Sequence, residues 1–221
     1  MKICVAVTTK DSIYLHACRT LMGIQHDLMK EGHDMQLLAI GQDSMISRAR
    51  DTIATIFLES PALKDCSHLL TIDSDIYASE ARSALRLLEQ DKDVIGGIYR
   101  AKSDTDYRPI ALPIDKSVTL KDFQKPVECT YIGTGFLMVR REVFERLKPV
   151  VEHYGTKGSE IYQFYPCPVK EETLPDGTKF RSLLSEDYGF CNLARENGFR
   201  IWGMNCGLIH EGIHGYAFDR G

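Results

Sequence analysis

The sequence predicts an α/β fold, a mostly parallel central sheet flanked by helices. Three observations carry that expectation. Short apolar runs alternate with longer amphipathic segments through the first hundred residues. The runs have strand length and end on polar residues. The order β-α-β-α-β-α-β suits a parallel sheet, because parallel neighbours need a crossover between them.

Residues 3–9 (ICVAVTT) read as the first strand. Residues 13–31 fit a helix, with Leu15, Cys18, Leu21, Met22, Leu28 and Met29 near helical spacing and Gly32 as its stop. Residues 35–40 (MQLLAI) form a second strand. Asp43 or Ser44 then caps a helix to about Ser60, with Ile46, Ala49, Ile53, Ile56 and Phe57 on one face. Residues 67–76 (SHLLTIDSDI) form a strand whose end turns acidic. A helix over 79–90, capped by Ser79, leads to a strand over 93–100. The second half is less regular. Residues 127–141 read as one or two strands broken at Gly133 and Gly135, and 141–147 as a short helix. Residues 150–183 hold Pro, Gly and aromatics without periodicity and read as an irregular cover. A helix over 185–197, stopped by Gly198, and a late strand over 199–209 complete the chain.

Composition narrows the class of function. The 221 residues are 43% hydrophobic and 26% charged, ordinary for a globular protein and wrong for a disordered tail or a coiled coil. Residues 1–110 carry 13 basic and 16 acidic side chains, and the remainder 14 and 15. Neither half has a global field that would draw it to nucleic acid or an anionic membrane, so nucleic acid is disfavoured as a partner. The seven cysteines are odd in number and form no C-x-x-C, and several lie in apolar runs. They read as reduced thiols in a cytoplasmic protein. The first residues are too short an apolar stretch for a signal-peptide core, and no run reaches the length of a membrane span.

Asp73-Ser74-Asp75 follows the apolar residues Leu69, Leu70 and Ile72. Ligands of open α/β sheets collect beyond the carboxyl ends of strands. Two carboxylates there repel unless a cation neutralises them, and Mg²⁺ or Mn²⁺ suits carboxylate oxygens and bridges to substrate phosphates. A solvated, capped turn is the plainer alternative. Arg48 and Arg50, in SRAR at a helix start, are candidate diphosphate contacts or else surface charges, and Lys102 stands beyond another strand end. Glu186-Asp187 suits the first turn of a helix on dipole grounds alone. A partly desolvated carboxylate there could equally serve as a base.

Five segments occur in order: SMISRARDTIATIFLES, SHLLTIDSDI, DVIGGIYRAK, IGTGFLMVRREVFERL and LSEDYGFCNLARENGFRIW. Together they resemble the short nucleotide-sugar glycosyltransferases of the GT-A fold, related to family 2, a type frequent in phages, large DNA viruses and bacteria. The resemblance runs from about residue 3 to 215. It implies one GT-A domain over 1–221, with a nucleotide-binding half of about 1–102 and an acceptor-side half of about 103–221. It implies transfer of a sugar from a nucleoside-diphosphate sugar, most simply a UDP-sugar, to a hydroxyl on a glycan or other acceptor. Asp73 and Asp75 then become metal ligands, with His210 in LIHEG as the third and His214 its alternative. Asp187 becomes the base or acceptor-binding carboxylate, with Glu186 beside it. Thr8 and Thr9 fall where the nucleoside binds, beside Arg48, Arg50 and Lys102. Gly133, Thr134 and Gly135 line the sugar and acceptor pocket.

Three competing readings remain. A nucleotidyltransferase on a related fold would carry a glycine-rich basic loop after the first strand, and TTKDSIYLHA lacks one. A sugar-nucleotide-binding protein without turnover would share the fold and the site. His210-Glu211-Gly212-Ile213-His214 matches the zinc-protease H-E-x-x-H literally, yet glycines surround it where that motif needs a helix.

Overall fold

The computed structural model describes residues 1–9, 12–103, 105, 108–156, 158–212 and 215–217. Its centre is an eight-stranded sheet in the order β2-β1-β3-β8-β5-β13-β7-β6. The strands are β1 (Lys2–Thr8), β2 (Asp34–Ile40), β3 (Cys66–Asp73), β5 (Val94–Gly97), β6 (Ala111–Pro113), β7 (Val127–Ile132), β8 (Phe136–Arg140) and β13 (Ile201–Met204). β1 pairs in parallel with β2 and β3, and β5 with β13. β8 runs antiparallel to β3 and β5, and β7 antiparallel to β13 and β6. Six of the eight strands therefore share one direction, and β7 and β8 oppose them. The expected mostly parallel α/β sheet is present, with both reversals drawn from the one segment 127–141.

Alternation along the strands builds a core on each face. Cys4 and Ala6 of β1 and Leu69 of β3 face helices α2 (Ile46–Glu59), α4 (Arg141–Leu147) and α5 (Glu186–Glu196). Ile3, Val5 and Val7 of β1 with Leu70 and Ile72 of β3 face α1 (Leu15–Lys30) and α3 (Ser83–Leu88). Phe57, Phe144, Phe164 and Phe190 meet on the first face and are fully buried. Gly32 and Gly198 follow α1 and α5 at positive φ, the conformation that ends a helix at low cost for glycine.

Several boundaries differ from the sequence expectation. The strand expected over 67–76 is split into β3 and the short β4 (Ile76–Ala78), because Ser74 and Asp75 turn out of the sheet. The helix expected over 79–90 contracts to α3. Ser79 does not cap it, since its hydroxyl and amide both donate to the Gly207 carbonyl. At α2 the cap position is Met45, and Asp43 accepts from the Met45 amide and from Arg48 instead. Residues 150–183 are not irregular. They form two hairpins, β9 (His153–Thr156) with β10 (Ser159–Tyr162), and β11 (Val169–Thr173) with β12 (Lys179–Leu183). The expected last strand breaks at Gly207, giving β13 and then β14 (Leu208–Glu211), which pairs with β4 and with β15 (Gly215–Ala217). Among the described residues no helix is long and apolar enough to cross a membrane.

The first hairpin is fastened to α2 by a buried carboxylate. Asp51, 2% exposed, accepts from the Tyr165 amide at 2.7 Å and the Tyr154 hydroxyl at 3.0 Å. Burial pushes its pKa up to about 6, against the pull of those hydrogen bonds. The folded chain then holds this proton where the unfolded chain has lost it. Between about pH 4 and pH 6 the Asp51 contribution to stability falls as pH rises, by on the order of 3 kcal/mol in all. We expect Asp51→Asn to gain stability relative to the parent on going from pH 4 to pH 7. Urea denaturation of both proteins at the two pH values checks this.

Candidate functional site

The carboxyl ends of β1, β3 and β5 and the amino end of β8 meet at one edge of the sheet. Thr8 is the register partner of Asp73 there, and its hydroxyl donates to Asp73 Oδ1 at 3.3 Å. Thr9 donates from its hydroxyl to the Ser12 carbonyl. A cleft of about 260 Å³ opens at this edge, lined by Thr8, Thr9, Asp43, Asp73 and Asp75 among others.

Arg50 is the hub of the site. It projects from the first turns of α2 and is 3% exposed. Its Nη2 donates to both oxygens of Asp73, each at 2.9 Å. Its Nη1 donates to Asp187 Oδ1 at 3.0 Å and to Glu186. Burial opposes the guanidinium charge, but Asp73, Asp187 and Glu186 outweigh burial and raise its pKa. Three carboxylates from β3 and α5 thus share one buried cation. Such a cluster is stable only while the cation stays, since each charge has been taken from water. Glu186 has its pKa raised by burial first and by the neighbouring Asp187 charge second.

The glycines between β7 and β8 serve this cluster. A Cβ on Gly135 would lie 2.6 Å from Tyr99 Oη and 2.8 Å from Asp73 Oδ2. A Cβ on Gly133 would lie 2.5 Å from the same Tyr99 oxygen. The Gly135 amide donates to the Tyr99 hydroxyl at 2.9 Å. Thr134 is fully buried and donates from its hydroxyl to Asp187 Oδ1 at 2.5 Å. The segment expected to line a sugar pocket packs against Tyr99, which fills the space the missing side chains leave. It is linked to the site by the Thr134–Asp187 hydrogen bond and by the Asp73 amide, which donates to the Gly135 carbonyl at 2.9 Å.

Asp75 stands apart from Asp73. Lys102 Nζ donates to Asp75 Oδ2 at 2.5 Å, and His210 Nε2 lies 3.7 Å from that oxygen. Burial disfavours the Asp75 charge, yet His210 and Lys102 outweigh it and hold the pKa at about 2. The His210 Nδ1 lies 3.1 Å from the Arg100 carbonyl. A carbonyl only accepts, so Nδ1 carries a proton and Nε2 is the nitrogen turned toward Asp75. A backbone carbonyl holding one ring nitrogen's proton fixes the tautomer and the ring orientation, as it does for histidines that bind metals. Among the described residues no three His, Cys, Asp or Glu side chains converge as a metal group. Asp73 gives both its oxygens to Arg50. Asp75 and His210 fit a hard divalent cation that takes its other ligands from substrate phosphates and water, as Mg²⁺ commonly does. Lys102 must leave Asp75 for such an ion to enter. His214, the other candidate ligand, lies outside the described residues.

The two arginines of SRAR part company. Arg48 is half exposed and pairs with Asp43 through two contacts of 2.8 Å at the rim of the cleft. Arg50, expected as a donor contact, is buried among carboxylates, whereas Arg48 stays at the rim. Sequence reasoning also missed Tyr99 and Asp51. The signal available for Arg50 and Asp51 was their place inside an otherwise apolar helical face that includes Ala49, Ile53 and Ala54.

No family model and no curated protein matches the sequence. Solved structures do match by shape. The A197 protein from STIV is similar at a TM-score of 0.62 and 17% identity, covering 100% of this chain and 92% of that one. That likeness shows a shared fold over the whole chain. A Drosophila β1,4-galactosyltransferase 7 mutant, in complex with manganese, UDP-Gal and xylobiose, matches at 0.46 and 13% identity over 92% of this chain and 64% of its own. A glycosyltransferase involved in glycosylation of the major capsid of PBCV-1 matches at 0.36 and 12% identity over 65% and 62%.

Proposed function

We propose that this chain is a GT-A glycosyltransferase that moves a sugar from a nucleoside-diphosphate sugar, most simply a UDP-sugar, to an acceptor hydroxyl. The observation that carries the reading is the Asp73–Arg50–Asp187 bridge. It ties the strand-end cleft to a second carboxylate that lines a separate cavity of about 820 Å³. Two substrates meeting across one buried cation would use that arrangement.

In this reading residues of the 1–102 half bind the donor. Thr8 sits beside the nucleoside and Arg48 beside the diphosphate. A bound Mn²⁺ or Mg²⁺, held by Asp75 and His210, would supply charge neutralisation of the leaving diphosphate. Lys102, released from Asp75, would add its own positive charge to the same group. On the 103–221 side, Arg50 and Thr134 both donate to Asp187 Oδ1 and so fix the carboxylate. The Asp187 carboxylate accepts the proton of the acceptor hydroxyl as its oxygen attacks the sugar and the nucleoside diphosphate leaves. Neighbouring Glu186 shares the Arg50 cation with Asp187. Cys4, Cys129, Cys191 and Cys206 are buried free thiols whose pKa values burial pushes up to about 12.

The test is release of UDP or GDP from a panel of sugar nucleotides with Mn²⁺, read alongside direct Mn²⁺ binding. We expect Asp75→Asn to lower both release and Mn²⁺ affinity at least ten-fold, and Lys102→Met to tighten Mn²⁺ binding in the absence of nucleotide. Unchanged Mn²⁺ affinity in both variants would remove the metal from this reading.

A further inference from the structure

The cavity beside Asp187 has a chemistry of its own. Asp187 and Ser185 stand at one part of its wall, on and just before α5. Much of the remaining lining is apolar, including Ile110, Leu112 and Leu120. Leu112 is 48% exposed and Leu120 45% exposed. Two large, half-exposed aliphatic side chains thus line this wall, with Arg108 and Thr119 as further polar lining, and their apolar surface favours an apolar group on the occupant. Tyr131 and Tyr188 pack ring against ring in the same wall, with centroids 3.7 Å apart and planes tilted by 30°. Tyr188 follows Asp187 directly in the helix. Aromatic rings joined in this way offer a rigid surface at small entropic cost to whatever lies on them.

We propose that the acceptor is a hydroxyl compound with an apolar or aromatic group next to its reacting end, such as a glycoside with a hydrophobic aglycone. The hydroxyl lies at Asp187 and the apolar group covers Leu112, Leu120 and the tyrosine pair. A free, fully hydroxylated sugar leaves those side chains against water and binds more weakly. The inference rests on the glycosyl-transfer reading for the placement of the hydroxyl, while the apolar subsite itself rests on the cavity wall.

Matched pairs of methyl and phenyl β-glycosides of glucose, galactose, xylose and N-acetylglucosamine test it. Binding is measured by calorimetry with no donor present, on the parent, on a Leu112→Asn/Leu120→Asn double variant and on Tyr188→Ala. The leucines are exposed, so the double variant should keep the fold, and circular dichroism confirms it. In at least one pair the phenyl compound should bind about ten-fold or more tightly than the methyl compound. Both variants should narrow that ratio, the double variant to below about three-fold. Equal binding within every pair, no binding by any pair, or a phenyl preference untouched by the substitutions would overturn the proposal. A phenyl preference that the substitutions erase, with no sugar transferred to any of these acceptors from any donor, would uphold the apolar subsite and remove glycosyl transfer instead.

Discussion

Replacing Arg50 by methionine should lower the stability of the chain by about 3–5 kcal/mol, the range seen when one partner of a buried ion pair is removed. Methionine fills most of the arginine's volume, so lost packing is a small part of the effect. What changes is the charge left behind. Asp73, Glu186 and Asp187 all depend on this guanidinium, and none of their side chains is more than about a quarter exposed. Without it, three carboxylates repel one another in a partly desolvated space. Acid should therefore rescue the variant, because protonation removes the repulsion, and its stability should approach that of the parent as pH falls toward the carboxylate range. Arg50→Lys should lie between the two, since an ammonium keeps the charge but cannot donate along two edges at once. Urea denaturation of the three proteins from pH 4 to pH 8 checks the order and the pH trend. A loss below 1 kcal/mol at pH 7 would mean that the carboxylates find water or one another without cost.

Replacing Asp187 by asparagine should reduce sugar transfer by about 10²–10⁴-fold, the usual worth of a positioned general base. The amide oxygen can still accept from Arg50 and Thr134, so the side chain keeps its place. It cannot take up a proton. The loss should appear in kcat, with donor binding within about two-fold of the parent. Thr134→Val should act more gently, because it removes one hydrogen bond that orients the carboxylate and leaves the charge. Transfer assays with a saturating donor, beside calorimetric binding of the donor, separate these effects. A loss confined to donor affinity would move Asp187 from the acceptor to the donor.

The sequence was most readable where burial imposes a period. β1, β3 and β5 are short runs packed on both sides, and their apolar content marks them without further information. Nothing local says where β8 goes. Its residues spell a strand, but its insertion between β3 and β5 in reverse is a tertiary fact. The hairpins of 153–183 escaped because β11 and β12 are almost wholly exposed and so carry no burial pattern. The site shows the same division. Asp73, Asp75, Glu186 and Asp187 stand out as acidic residues at element ends. Arg48 and Arg50 look alike in SRAR, and only the packing of α2 makes one a rim residue and the other a buried hub.

The reversed strand at the centre also bears on how the chain reaches its native state. β3 and β5 are separated by only twenty residues of chain, yet they are joined in the sheet only through residues 136–140, which lie between them. A nascent chain that has emerged only through residue 102 holds three unpaired strand edges in what becomes the middle of the protein, one on β3 and both on β5. Such edges invite association with other chains. Assembly waits for long-range pairing, which slows folding relative to a chain with local contacts. A truncation at residue 102 should aggregate rather than yield a small nucleotide-binding protein.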